Sequence, residues 1–177
     1  MALDGLAIKS SEVLVCTDEI VALRRPAVDE LTAMAARSQK RRARICAHKD
    51  DSAGIQEMII LINRESYVSP HRHANKCESF HLIEGCADIA VFKDDGAIER
   101  VIPFSQDQAF FYRLDTRRYH TIVVRSENII FHEVTNGPFV RNATEYAPFA
   151  PMEGASDVEA YRRKLDGQIA AWLAERH

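Results

Sequence analysis

The sequence is poor in cysteine and has no long apolar run. Its 177 residues include four cysteines, none of which forms a C-x-x-C pair, so neither a disulfide scaffold nor a zinc ribbon is indicated. No apolar segment approaches the ~20 residues of a membrane-spanning helix, and the first residues lack the basic and apolar regions of a signal peptide. We therefore expect a cytoplasmic protein with no membrane partner.

A strong charge of one sign is also absent. The formal net charge of −3 is too close to balance to indicate a nucleic-acid partner. A basic cluster at 37–44 follows a predicted helix, and the helix dipole favours cations at that end. The content of 46% hydrophobic and 28% charged residues is typical of a soluble globular protein, and we expect no nucleic-acid partner.

The length predicts one domain over 1–177, because domains average roughly 150 residues. Apolar residues recur at helical spacing from Pro26 to about Lys40, with proline where a first turn tolerates it. We expect three parts along the chain: an N-terminal helix and connector at 20–48, a strand-rich region with a following loop at 49–153, and a C-terminal helix at 154–177.

The middle of the chain has the pattern of an antiparallel β-protein. Short segments rich in β-branched and aromatic residues alternate with turn formers, which indicates a sandwich or small barrel. The predicted strands are Ile55 to Ile62, Phe80 to Ile83, Ala87 to Phe92, Ala109 to Tyr112, Thr121 to Val124 and Ile129 to Val134.

The C-terminal segment is predicted to be an amphipathic helix. Ser156 to Glu159 fits a capping box, and one apolar stripe follows, formed by Val158, Tyr161, Leu165, Ile169 and Trp172. Such a stripe must be covered. Either the outer wall of the β-region or a second subunit could cover it, and the sequence leaves both open.

The most informative segment is Ser69 to Gly85, which has the pattern H-x-H-x4-E-x6-G. Residues two apart in a strand share a face, so His71 and His73 present two imidazoles on one side. A short turn returns the chain antiparallel, which lets Glu78 supply a carboxylate to the same point. Gly85 ends the second strand at a bend that needs no Cβ.

Further histidines can be sorted by strand position. His120 heads a later apolar strand and is the best candidate for another ligand. His81 differs in parity from Glu78 and should face away. In the last strand only one of His132 and Glu133 can point inward, and the sequence does not decide between them.

These residues resemble the first conserved motif of the cupin superfamily. Further segments resemble the WbuC-type cupin-fold metalloproteins over roughly residues 20 to 153: Gln56 to Met58, Tyr67 to His73, Glu78 to His81, Tyr119 to Thr121, His132 to Val134 and Ala147 to Pro151. The resemblance implies a mostly β fold, the cupin double-stranded β-helix, here with flanking N-terminal and C-terminal α-helices. It also implies a metal held by His71, His73, Glu78 and His120, and it suggests a homodimer and a link to surface-polysaccharide gene clusters.

Three imidazoles and one carboxylate suit one divalent transition metal ion, such as Fe, Ni, Mn, Zn or Co. Four protein ligands leave two positions of an octahedral shell open for a small-molecule ligand. Strand parity places Tyr67 and Arg118 beside the ligands, where they would contact substrate oxygens. The alternatives are a packing role for Tyr67 and a surface ion pair for Arg118.

Two classes of function follow from this site. The first is a metal-dependent enzyme acting on a small oxygen-rich molecule, such as a sugar, keto acid or hydroxy acid. The second is a non-catalytic metalloprotein that binds a small ligand. A metal-free epimerase is a third, lesser alternative. A general acid or base at the open positions would favour an enzyme, and Glu133 or His132 qualifies if it points inward.

Overall fold

The computed structural model describes residues 5–140 and 143–176. Two β-sheets and two α-helices make up these residues. In chain order the elements are β1 Leu6–Ser10, β2 Val13–Cys16, α1 Arg25–Arg37, β3 Arg42–Cys46, β4 Ile55–Asn63, β5 His71–His73, β6 Glu78–Glu84, β7 Ala87–Phe92, β8 Ile98–Phe104, β9 Phe111–Leu114, β10 Tyr119–Val124, β11 Asn128–Asn136, β12 Thr144–Tyr146 and α2 Val158–Ala174.

The two sheets differ in size. The larger has seven strands in the order β1-β2-β3-β4-β11-β6-β9, and the smaller has five in the order β12-β5-β10-β7-β8. All neighbouring strands are antiparallel except β2 and β3, which are parallel. The six predicted strands are all present, whereas β1, β2, β3, β8 and β12 were not predicted.

The inner faces of the two sheets pack against each other. Alternate residues of both sheets form this core, as period-two burial requires. Its largest members are Phe80, Phe104, Tyr112, Ile122 and Phe131. The core fills one part of the space between the sheets, and the polar residues described below lie on the same inner faces.

The two helices cover the outer faces of the sheets. Helix α1 packs through Leu31 and Met34 onto the outer face of the larger sheet. Helix α2 packs through Leu165 and Ile169 onto the outer face of the smaller one. The apolar stripe of α2 is therefore covered by the same chain, which removes the exposed helix as an argument for a dimer.

Two local predictions for the ends of elements have different outcomes. Gly85 ends β6 with a φ of 85°, and a Cβ there would lie 2.3 Å from the carbonyl oxygen of Asn128, so this bend requires glycine. The predicted capping box is wrong, because the N-cap of α2 is Asp157 and it makes no side-chain capping bond.

Neither helix described is long and apolar enough to cross a membrane.

Candidate metal centre

Four side chains from three strands meet between the sheets. His71 and His73 lie on β5, Glu78 begins β6 and His120 lies on β10. One ligand atom from each lies within 4.8 Å of all the others. Two donors bound to one ion at ~2.1 Å are at most ~4.2 Å apart, so the four atoms lie close to the spacing that a shared ion requires.

The pairing of the strands explains this convergence. β5 pairs with β10 at one position, where His71 lies opposite His120. The turn after His73 is tied to β11, because the Cys77 N–H donates to Asn136 Oδ1 at 2.8 Å. This anchor places Glu78 at the start of β6. Within the described residues Cys77 is not part of the cluster, as expected for a residue of opposite parity to Glu78.

Each histidine has a partner for Nδ1, which leaves Nε2 directed into the cluster. His71 Nδ1 lies 2.9 Å from the carbonyl oxygen of Ser69 and His120 Nδ1 lies 3.2 Å from that of Arg118. His73 Nδ1 lies 3.2 Å from the Thr144 hydroxyl. Carbonyls accept only, so two of the neutral rings must carry their proton on Nδ1 and expose an Nε2 lone pair. Such outer partners are typical of metal-binding histidines.

Glu78 stands between two of these rings. Its Oε1 lies 2.8 Å from His73 Nε2, and its Oε2 lies 2.9 Å from His120 Nε2. Burial alone would raise the pKa of Glu78, but the contacts with His120 and His73 hold it below its usual range. The side chain is therefore a carboxylate at neutral pH.

The contact between Glu78 Oε2 and His120 Nε2 shows whether the four residues fit a metal ion. Both atoms are buried and neither has a hydrogen-bond partner. A protonated His120 would place a positive charge beside Glu78, but when the ring is neutral with its proton on Nδ1, two lone pairs face each other at 2.9 Å. That arrangement is unfavourable without a cation between the two atoms. The donor set therefore fits a bound cation.

Burial also keeps His71 in its ligand form. It lowers the pKa of His71 to about 4, and the neighbouring His120 adds to the effect. An imidazole must be neutral to coordinate a metal. His71 is therefore ready to bind at neutral pH without first losing a proton.

Glu133 faces the cluster, and His132 does not. Glu133 follows Phe131 by two residues on β11 and pairs with Phe80 of the inner core. Burial raises its pKa to about 8, with a further increase from the charge of Glu78. His132 lies on the outer face, with Nε2 3.7 Å from Glu57 Oε1. The parity that the sequence left open is thus decided by strand register.

Two further polar groups on the same inner face were missed by sequence reasoning. The Tyr112 and Thr135 hydroxyls are buried and have no hydrogen-bond partner. Thr135 pairs with Glu78 across the sheet, and Tyr112 pairs with Phe80. Burial raises the pKa of Tyr112, and the negative charge of Glu78 adds to the increase. Both hydroxyls remain neutral donors beside the carboxylate, and only knowledge of the pairing could have identified them.

The expected positions of Tyr67 and Arg118 beside the metal ligands are corrected by the structure. Tyr67 lies at the outer side, where its hydroxyl donates to the carbonyl of Pro151 at 3.0 Å and its ring meets Tyr161 of α2. Arg118 is half exposed and its Nε donates to Glu99 at 2.9 Å. Both residues precede the strands β5 and β10, so strand parity does not extend to them. His81 is exposed, as predicted.

A family model for a domain of unknown function (DUF6016) matches residues 23–103, which is less than half of the chain. No curated protein is significantly similar in sequence. Protein SO0799 from Shewanella oneidensis superposes with a TM-score of 0.54 at 9% identity, over 67% of this chain and 82% of that one.

The capsular polysaccharide assembling protein CapF from Staphylococcus aureus superposes with a TM-score of 0.50 at 17% identity, over 62% of this chain. The match spans 32% of CapF. A cupin 2 conserved barrel domain protein from Rhodopseudomonas palustris gives 0.48 at 18% identity, over 73% of this chain and 77% of that one. At these identities the comparisons concern fold alone. The described residues form a mostly β fold of two sheets with flanking helices, and they share that fold with SO0799 and part of CapF.

Proposed function

We propose that the protein is a metal-dependent enzyme acting on a small oxygen-rich molecule. The observation that carries this proposal is the joint placement of four ligands and Glu133 on inner faces of the two sheets. His71, His73, Glu78 and His120 would hold one divalent transition metal ion, and Fe, Ni, Mn, Zn and Co all accept such a donor set. Bound there, the ion would act as a Lewis acid toward a coordinated oxygen.

Glu133 is the proposed proton carrier. Its pKa of about 8 means that near neutral pH the carboxyl is protonated in much of the population and can donate a proton to a substrate oxygen. After donation the same group can accept a proton, and a pKa near the working pH favours both steps. A bound cation would favour the carboxylate form and bring the two forms closer to balance.

Tyr112 and Thr135 would orient the substrate. Their buried hydroxyls lack partners in the structure, and an unpartnered buried hydroxyl is costly. A sugar, keto acid or hydroxy acid offers the oxygen atoms that would satisfy them. The cost of leaving the same groups unpaired would select against substrates without those oxygens.

We further propose membership of the WbuC-type cupins and a role near surface-polysaccharide metabolism. The support is the resemblance of the motif from Ser69 to Gly85 and the match of its four expected ligands to the cluster. A homodimer is proposed as the assembly state. Its support is the half-exposed pair Phe110 and Phe111 at β9, an edge strand of the kind that pairs with another chain. Light scattering at micromolar concentration tests it.

The experiment compares three variants on the metal-loaded protein. A panel of sugars, keto acids and hydroxy acids is followed by NMR for product formation. Glu78→Gln should lose both metal and turnover, whereas Glu133→Gln should keep the metal and lose turnover by at least about 100-fold, the lower end of the usual contribution of acid–base catalysis. His132→Gln is the matched control, because it changes the adjacent residue on the outer face.

Binding of a panel member without turnover, unchanged in Glu133→Gln, would favour a non-catalytic ligand-binding metalloprotein. Full turnover by the metal-free protein would contradict metal dependence altogether.

A further inference from the structure

A cavity of about 310 Å³ lies between α2, strand β10 and the segment 64–68. It is separate from the metal centre, because α2 covers the outer face of the smaller sheet and the ligands project from the inner face. We propose that this cavity is a second binding site, for a small molecule that carries an oxyanion, either a carboxylate or a phosphate.

Three arginines line the cavity and one carboxylate opposes them. Arg64, Arg125 and Arg162 lie around it together with Asp166. Arg125 Nη1 donates to Asp166 at 2.7 Å, and its Nε donates to Asp88 at 2.7 Å. Asp88 and Asp166 together neutralise Arg125, and Glu159 pairs with Arg162. The positive charge that the cavity offers to a ligand is therefore that of Arg64.

Arg64 and Arg162 are linked to each other through the backbone. Arg162 Nη2 donates to the carbonyl of Arg64 at 2.7 Å, and its Nη1 donates to that of Glu65 at 3.3 Å and to Glu159 at 3.0 Å. Arg64 Nη2 donates to the carbonyl of Arg125. In the part of the chain that the structure describes, Arg64 has no carboxylate partner, so its Nε and Nη1 donors are free for a ligand.

Strand β10 adds backbone donors to this wall. The Arg125 N–H donates to the carbonyl of Cys86 on the β7 side, and antiparallel pairs alternate in direction. Ile122 and Val124 must therefore turn their N–H groups away from β7. β5 pairs with β10 only at His120, so these two N–H groups face the cavity.

The size and the remaining lining define the class of ligand. A volume near 300 Å³ is at the lower end of known small-molecule sites. Tyr67, Val68 and Leu165 supply aromatic and apolar surface beside the arginines. Guanidinium groups and backbone N–H groups together are the donors that bind carboxylate and phosphate oxygens. A small organic anion would therefore fit both the hydrogen-bond donors and the apolar lining of the cavity.

The test is a titration of the full chain, followed through backbone amide resonances in a chloride buffer. One arm uses inorganic phosphate and the other uses malonate, which separates phosphate from carboxylate recognition. Saturable shifts of the Ile122 and Val124 amides with either probe are expected. Arg64→Gln should weaken the binding at least about tenfold, because hydrogen bonds from a charged donor are lost.

Arg163→Gln is the matched control for both arginine variants, because it removes the same charge from the exposed position of α2 that follows Arg162. It should leave the binding unchanged. Arg162→Gln provides a second variant from the opposite side of the cavity. Shifts that rise linearly with both probes, or equal weakening by Arg64→Gln and Arg163→Gln, would overturn the proposal. Metal content should be the same in all variants, so this outcome is independent of the metal centre.

Discussion

Removing a bound metal ion should lower the melting temperature of the protein by about 5 to 11 °C. The proposed ion would bind only the folded chain, because only folding brings His71, His73, Glu78 and His120 together from β5, β6 and β10. A ligand of the native state at 100 times its dissociation constant adds about 2.7 kcal/mol to the free energy of unfolding. For a chain of this length, each kcal/mol corresponds to roughly 2 to 4 °C.

The structure also predicts which substitution removes this increment. His73→Gln takes away the ring whose Nε2 lies 2.8 Å from Glu78 Oε1, so its melting temperature should respond little to chelation. His81→Gln is the matched control, since His81 is an exposed histidine on β6 and the variant should respond as the wild type does. Differential scanning calorimetry with and without a chelator measures all three proteins. A wild-type melting temperature that is unchanged by chelation after metal loading would refute the reasoning.

Three other predictions concern acid–base behaviour and packing. In the metal-free protein, the pKa of Glu133 of about 8 lies above the usual carboxyl value, so stability should fall as pH rises from about 4.5 to 8; urea unfolding should show this fall in the wild type and a smaller one in Glu133→Gln. The pKa of His71 is lowered to about 4, so the unfolded chain binds a proton at this ring before the native state does, and stability should fall as pH decreases from about 6.5 to 4. The native ring stays neutral over that range, so dialysis at stepwise lower pH should release the metal from His71 only as the pH approaches about 4. Leu165→Ala should cost about 2 to 4 kcal/mol because Leu165 is 3% exposed against the smaller sheet, whereas Gln168→Ala, on the exposed face of α2, should cost under about 0.5 kcal/mol in the same urea assay.

The cluster of four candidate metal ligands was predictable in part because its members follow local rules. The separation of His71 and His73 by two residues fixes one face of an extended segment. The expected antiparallel return to Glu78 is wrong, because β5 and β6 lie in different sheets and the short connection carries Glu78 across to the facing sheet. His120 was predicted from its place at the head of an apolar strand. These inferences need only strand geometry, which acts over a few residues.

The residues around the ligands depend on register, which is a long-range property. Glu133 faces inward because β11 pairs Glu133 with Phe80 of β6, and nothing near Glu133 in the sequence fixes this pairing. The predicted position of Tyr67 was wrong for a different reason, because the alternation of side chains along a strand was extended to a residue outside the strand. The backbone of Tyr67 is not in β5, so its side chain follows the loop toward α2.

Strand β3 was missed because its arginines were interpreted as a basic cluster that follows helix α1. Arg42 and Arg44 were grouped with the basic end of α1, whereas they alternate with the buried residues Ala43 and Ile45 in β3. That alternation is the signal of a half-buried strand. The strand is short, and its pairing with β2 and β4 makes it stable.

The most direct test of the central claim is elemental analysis of the protein, purified without chelators and without a polyhistidine tag. We expect about one divalent transition metal ion per chain, as four convergent ligands at one point imply. Glu78→Gln, which removes the carboxylate between His73 and His120, should reduce that content at least about tenfold, because losing even an outer-shell partner typically costs 10–100-fold in metal affinity. A wild-type chain that holds no ion after incubation with the candidate metals, or a variant that retains the full content, would contradict the account.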